Sequence, residues 1–162
     1  SQLQNVRDIS DQLNQTEGNP NLEQEFSHNF NAGYNSFNAL TFKFISANIN
    51  FSTTSNKIVN SIDTISRGVQ LTRPENVNGY YSASTFVTLG LPFKSVKMKG
   101  SSLNFTNNIR YSNDVSLIYK QKNIGKSFSV TQGVGFNYNK EKLDFAIRAN
   151  LAYNSIKYSV NT

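Results

Sequence analysis

From Phe26 onward, apolar and polar residues alternate with a period of two. Phe26, His28, Phe30, Ala32 and Tyr34 share one side, and Ser27, Asn29, Asn31, Gly33 and Asn35 the other. Successive side chains of a β-strand point to opposite faces, so this spacing makes one apolar and one polar wall. A helix would need apolar residues three and four apart. The pattern returns further along the chain. Ile45, Ala47, Ile49, Phe51 and Thr53 oppose Ser46, Asn48, Asn50 and Ser52. Tyr81, Ala83, Thr85, Val87, Leu89 and Leu91 oppose Ser82, Ser84, Phe86, Thr88 and Gly90. Leu103, Phe105, Ile109, Tyr111, Val115 and Leu117 oppose Asn104, Thr106, Asn108, Arg110 and Ser116. Phe128, Val130, Val134, Phe136 and Tyr138 oppose Ser129, Thr131, Gly133, Gly135 and Asn137. Leu143, Phe145, Ile147, Ala149, Leu151 and Tyr153 oppose Asp144, Ala146, Arg148, Asn150 and Asn154. The prediction is an all-β fold, an antiparallel meander of about six long strands.

Strand length separates a membrane wall from a soluble sheet. Strands of soluble domains run about five or six residues, whereas a tilted membrane strand needs roughly 9–11. Several of these repeats hold phase long enough for the second. Their polar side is Asn, Ser, Thr and Gly with an occasional Arg or Asp, as suits a wet lumen, and their apolar side suits lipid. Tyr34, Tyr111, Tyr138 and Tyr153 fall near strand ends, where amphipathic rings sit at the membrane–water boundary. The chain therefore reads as wall of an outer-membrane β-barrel, with outer-membrane lipid as a partner. Two rivals are a small closed barrel of about eight strands with a structural or adhesive role, and a soluble β-sandwich binding module. The first needs extra strands within residues 1–25 and 56–73.

Connections at residues 35–40, 92–101 and 139–142 are compact, 120–126 is moderate and 54–78 is long. Outer-membrane barrels have short periplasmic turns and longer outer loops, so the first strand is expected to run downward and the last upward. Phe42 and Phe44 break phase with Ile45, and Ile156 and Tyr158 with Tyr153. A bulge or a change of face is expected at each. Residues 1–25 are polar and read as an outer loop leading into the barrel, residues 26–162. Leu3, Val6, Ile9 and Leu13 suggest one amphipathic helical turn there. With no leader at Ser1 and no terminating element at Thr162, the chain is expected to be a segment of something longer.

Composition narrows the chemistry. There are no cysteines among the 162 residues, which removes disulfides, thiolate metal sites and cysteine nucleophiles. No apolar run approaches the roughly 18 residues of a spanning helix. Mean hydropathy is negative, a test blind to barrels because lipid-facing and lumen-facing residues cancel. The net charge of +6 comes mostly from lysines near predicted turns, such as Lys94, Lys97, Lys99, Lys120, Lys122, Lys126, Lys140 and Lys142. No helix or nucleic-acid motif presents them, so they read as solvated turn charges and no nucleic-acid partner is expected.

The lone histidine, His28, has no acidic partner on its face, so nucleophile–base arrangements lack their parts. Asp8, Asp11 and Glu17 are a candidate carboxylate calcium site, although their spacing fits no standard calcium loop. Gly133-Val134-Gly135 lies within a predicted strand, not at a strand-to-helix turn, so it reads as small lumen residues rather than a phosphate cradle. Asn104, Arg110, Asp144 and Arg148 are expected to face the lumen, where the arginines line an anion path or pair with Asp144. No enzyme activity, cofactor or metal is expected.

Gly18-Asn19-Pro20-Asn21-Leu22, followed by Glu25, resembles an outer-loop stretch of the TonB-dependent outer-membrane receptors, with Gln24 where that family usually has proline. Residues 68–79, Gly-Val-Gln-Leu-Thr-Arg-Pro-Glu-Asn-Val-Asn-Gly, are similar to a loop-to-strand segment of the related outer membrane protein beta-barrel family. The resemblance implies a middle-to-late slice of a wide barrel, about 22 strands when complete. It also implies uptake of a small-molecule, glycan or peptide ligand, energised by a TonB-type complex. The plug and the motif that engage that complex are not among these residues. On loop length and resemblance, the ligand-facing residues are expected in residues 1–25 and 54–78, with 120–126 at the rim, and Arg67, Gln70, Arg73, Asn76, Lys120 and Lys122 are the ones named.

Overall fold

The computed structural model describes residues 3–66, 68–140 and 143–159. Its ten strands form one sheet in two tiers that share two strands. The wall is the antiparallel run β3 (Phe26–Asn38), β4 (Lys43–Ser55), β7 (Tyr80–Pro92), β8 (Ser102–Ile118), β9 (Gln121–Lys140) and β10 (Leu143–Tyr158). These are the six strands that the alternation predicts, in meander order. The other four strands make an upper tier at the long-loop end: β1 (Arg7–Asp8), β2 (Asn14–Glu17), β5 (Lys57–Ser66) and β6 (Val69–Val77). There β5 takes the β8 edge that β7 has vacated, pairing Ser61 with Leu117 and Ile62 with Ile118 in parallel. β6 pairs antiparallel with β5, β2 runs parallel to β6, and β1 closes the edge of β2.

Register keeps the two faces separate across the whole wall. Phe30, Phe51, Ala83, Tyr111 and Phe128 form one row, and Ala32, Ile49, Thr85, Ile109, Val130 and Tyr153 the next. On the opposite face Asn50, Ser84, Arg110, Ser129 and Asn154 align, as do Ser46, Thr88, Thr106, Gly133 and Asn150. A one-residue slip would exchange the faces along an entire strand, so this pattern pins the pairing.

Nothing covers the apolar face. Phe30, Tyr34, Ile49, Ile147, Leu151 and Tyr153 are all exposed, and Val77 and Val115 are, apart from Pro74, the only buried apolar side chains among the described residues. They lie where the tiers meet, beside buried Thr54, Ser61 and Asn113. A soluble sandwich would press two sheets together through their apolar sides; this single layer overturns that reading. The extra strands within residues 1–25 and 56–73 exist, but they extend the sheet upward. Among the described residues β3 and β10 do not pair with each other.

Aromatic residues gather in two bands on the apolar face. The upper band holds Phe30 against Phe51 (6.3 Å), Tyr81 on Tyr111 (5.8 Å) and Phe128 against Tyr153 (6.5 Å). The lower band holds Phe93 against Phe136 (5.9 Å) and Tyr138 on Phe145 (5.3 Å). From Phe128 to Tyr138 the strand advances about 34 Å at ~3.4 Å per residue. Tilted by about 40°, that spans roughly 26 Å, close to the ~25 Å apolar band between the aromatic girdles of outer-membrane barrels. Tyr111, Tyr138 and Tyr153 thus sit at the expected boundaries. Tyr34 pairs with Ala47 and lies outside both clusters.

Several local expectations change. The 54–78 connection is the β5–β6 hairpin, not an open loop. The 120–126 connection is mostly strand, because β8 and β9 meet in a two-residue turn with Tyr119 at φ 49° and Lys120 at φ 61°. Two positive φ angles are what a type I′ hairpin turn demands. Residues 3–25 contain no helix; Leu13 instead offers its carbonyl to Gln70 N at 2.8 Å. Neither phase break is a bulge, since pairing is continuous from Phe44 through Thr54 and along all of β10. Both are changes of face. Phe44 lies on the polar side over Gly90, where an added Cβ would come within 2.0 Å of its ring. Tyr158 likewise lies over Gly125.

Candidate functional site

The upper tier is knitted together by side-chain amides. Asn19 donates to the Pro74 carbonyl (3.0 Å) and accepts from Asn21 N (3.0 Å) and Arg73 Nη2 (3.2 Å). Asn76 accepts from Glu23 N (2.8 Å) and donates to the carbonyls of Glu23 (2.9 Å) and Asn56 (2.7 Å). Glu25 Oε2 accepts from Ile58 N at 2.9 Å. Asn78 Oδ1 accepts from Asn56 N at 2.7 Å, holding Asn56 at φ 52°. Asx side chains suit these posts because they bond neighbouring backbone and tolerate left-handed geometry. The two segments that carry the family resemblance, 18–25 and 68–79, are thus the two halves of one latch.

Between those halves lies an open polar cleft of about 460 Å³, lined by Asn19, Asn21, Glu23, Asn56, Arg73, Glu75, Asn76 and Asn78. Most of its polar groups hold one another. The Asn21 and Glu75 side chains make no such bonds. Arg73 Nε is buried without a hydrogen-bond partner. Lower down, the polar face of the wall has a shallow depression of about 220 Å³. Gly133 creates it, since a Cβ there would stand 2.4 Å from Thr106 Oγ1 and 2.6 Å from Asn150 Oδ1. Phe44, Asn104 and Arg148 border it.

The sequence profile of the outer membrane protein beta-barrel family matches residues 1–162. The chain belongs to that family. No curated protein and no solved structure matches it. Membership places the protein in the outer membrane, and the uncovered apolar face has the composition of a lipid-facing wall. The two aromatic bands then mark the two interfaces of an outer membrane protein beta-barrel wall.

The predicted lumen residues share the polar face by register: Asn104 opposite Gly90, Arg110 opposite Ser84, Arg148 opposite Gly135 and Asp144 opposite Asn139. The expected pairing of the arginines with Asp144 is absent among the described residues, where ion pairs join only Arg7–Glu17, Lys57–Asp114 and Lys120–Asp63. Arg148 and Asp144 are four residues apart on one strand, about 13 Å at ~3.4 Å per residue, too far to touch.

The predicted ligand-facing residues divide. Gln70 is exposed on β6, while the Arg73 and Asn76 side chains are committed to the latch. Lys120 pairs with Asp63 at 3.4 Å, and Lys122 Nζ donates to the Asn78 carbonyl. Arg67 lies outside the described residues. Asn21, Asn56, Glu75 and Asn78 are not among the six residues named from the sequence, although all four lie within residues 1–25 and 54–78, the outer segments expected to face a ligand.

Asp8, Asp11 and Glu17 do not converge on a cation. Asp8 accepts from Ser10 N and Oγ, Asp11 from Leu13 N, Asn14 N and Asn14 Nδ2, and Glu17 from Arg7. These donors hold the Asp8 and Asp11 carboxyls below their ordinary pKa, through Ser10 for the first and Asn14 foremost for the second. Their folded pKa values are depressed, so the turns they cap are complete above the usual carboxylate range and weaken as pH falls through the lowered values. Amide protection at Leu13 and Asn14 is expected to stay level from pH 8 to 5 and to drop below pH ~4. Hydrogen exchange with mass spectrometry reads this directly; protection that is flat to pH 2 would contradict it.

Proposed function

We propose that this chain is wall and exterior platform of an outer-membrane receptor that captures a ligand at its upper tier and passes it inward along the polar face. By the loop-length rule, the compact turns face the periplasm and the upper tier faces the medium. The observation that carries the reading is the latched cleft. A polar, concave surface held rigid by its own amides is preorganised for a hydroxyl- or amide-rich ligand. Below it, rows of Asn, Ser and Thr offer a wet surface. Coupling to a TonB-type complex rests on the resemblance of segments 18–25 and 68–79 alone. In this reading the protein binds and transports, with no covalent step and no cofactor.

The test uses the two unengaged cleft side chains. A panel of ferric siderophores, oligosaccharides and peptides is screened for uptake that depends on the protein and on the proton-motive force. The double variant Asn21→Ala/Glu75→Ala is expected to lower that uptake about tenfold, two lost hydrogen bonds being worth roughly 1.4 kcal/mol or more. Heat-modifiable gel migration should remain as in the unaltered protein. Uptake that ignores both residues, or a panel without any dependent ligand, would remove the receptor reading.

A further inference from the structure

A second cleft opens on the polar face at the short-turn end of the wall, between the β3–β4 and β7–β8 connections. It encloses about 920 Å³, and its lining includes Leu40, Phe42, Phe44, Gly90, Lys94 and Lys99. β4 and β7 are neighbours in the sheet, so the two connections stand side by side. Each is fixed by its own hydrogen bonds. Asn38 Oδ1 accepts from Leu40 N and Thr41 N, both at 3.0 Å. In the other connection, Phe93 N donates to the Ser101 carbonyl and Ser101 N to that of Met98, both at 3.0 Å. The walls are therefore set before anything binds.

The floor of this cleft differs from the rows above it, which present mostly Asn, Ser, Thr and Gly. Phe37 has the parity of Gly33 and Asn35 and pairs directly with Phe44, so both rings are on the polar side. Phe37 meets Phe42 edge to face at 6.3 Å. Phe42 is turned there by a φ of 54° and is 68% exposed. Leu40 continues the apolar patch toward water. Rings left in water cost free energy that an apolar ligand body would recover. Lys94 and Lys99 are the charged residues among the described ones that line the cleft. Asp144 shares the polar face but stands on β10, two strands beyond β8, and does not line it.

We infer that this cleft binds a fatty acyl carboxylate, with its chain on Leu40, Phe42 and Phe44 and its head at Lys94 and Lys99. Charge complementarity selects the sign of the head, and the aromatic floor selects the body. A sugar would leave the rings unmatched, and a neutral hydrocarbon would leave the ammonium groups unused. The volume is that of a small-molecule site, roughly 300–1,000 Å³. The inference needs the apolar face of the wall to be turned to lipid, so that the cleft meets water. It does not need capture at the upper tier.

The test exploits the absence of tryptophan from the chain. Phe42→Trp places one reporter in the cleft, and Ile147→Trp places one on the apolar face. Each variant of the whole chain is held in phosphatidylcholine nanodiscs and titrated with ω-bromooctanoate, whose bromine quenches indole on contact. Quenching of Phe42→Trp should saturate, whereas that of Ile147→Trp should only follow the probe dissolved in the bilayer. The uncharged ω-bromooctanol should need about tenfold more free probe for half-quenching of Phe42→Trp. Adding K94Q/K99Q should bring the acid to the level of the alcohol. The comparison of acid with alcohol does not depend on the lysine variant folding. Equal half-quenching by acid and alcohol, or an acid curve that ignores K94Q/K99Q, would overturn the inference. So would shielding of Phe42→Trp from both probes and from acrylamide, which would show another part of the protein filling the cleft. Unsaturable quenching that parallels Ile147→Trp would place Phe42 against lipid and overturn the sidedness of the wall as well. Transport is not measured, so a failed uptake panel leaves this result standing.

Discussion

Arginine at Val134 is expected to cost about 2–4 kcal/mol of barrel stability in a lipid bilayer, whereas arginine at nearby Thr131 should cost less than about 1 kcal/mol. Val134 sits between Phe105 and Ala149 on the apolar face, six residues from Phe128 of the upper aromatic band and four from Tyr138 of the lower one. A guanidinium there must enter hydrocarbon or drag water and headgroups toward itself. Thr131 sits between Asn108 and Ala152 on the polar face, where the same group reaches water. The contrast is read from urea unfolding in bilayers. Equal costs at the two positions, or a protein that folds in buffer without lipid or detergent, would mean that something other than lipid covers Val134.

The second large effect is expected at Asn76. Replacing it by alanine removes three hydrogen bonds and leaves Glu23 N and the Asn56 carbonyl without their partner. Each net bond is worth about 0.5–1.5 kcal/mol, and stranded partners add to the cost, so the upper tier should lose about 2–4 kcal/mol. Hydrogen exchange should quicken in residues 19–25 and along β6, while β4, β7 and β9 keep their protection, because those strands draw their stability from wall pairing. Asn76→Asp should fall between the two, since it can still accept from Glu23 N but cannot donate. Unchanged exchange in residues 19–25 after Asn76→Ala would show that the latch is held elsewhere.

What the sequence disclosed and concealed follows from the solvent on each side of the sheet. The wall faces lipid on one side and water on the other, so every strand carries a strong period of two; all six could be found, with their faces. The upper tier meets water on both sides. Ile58, Val59, Ile62 and Ile65 of β5 have mixed parity, and nothing in that run separates a strand from an open loop. Parallel pairing of β2 with β6 joins residues some 56 positions apart (Asn14 with Gln70), which no local signal encodes. The latch was half visible. Its two segments stood out, but Arg73 and Asn76 were taken for ligand contacts, because a polar side chain committed to distant backbone looks the same in sequence as a free one.

One consequence follows from the length of β8 and β9. They run 17 and 20 residues, through the apolar band and on into the upper tier, joined by a tight turn at Tyr119 and Lys120. This ribbon acts as a continuous beam, clamped below by β7 and β10 and loaded above by β5. On the proposed receptor reading, a ligand seated in the platform would load that beam, and its arrival should register at the short-turn end as a change in strand tilt.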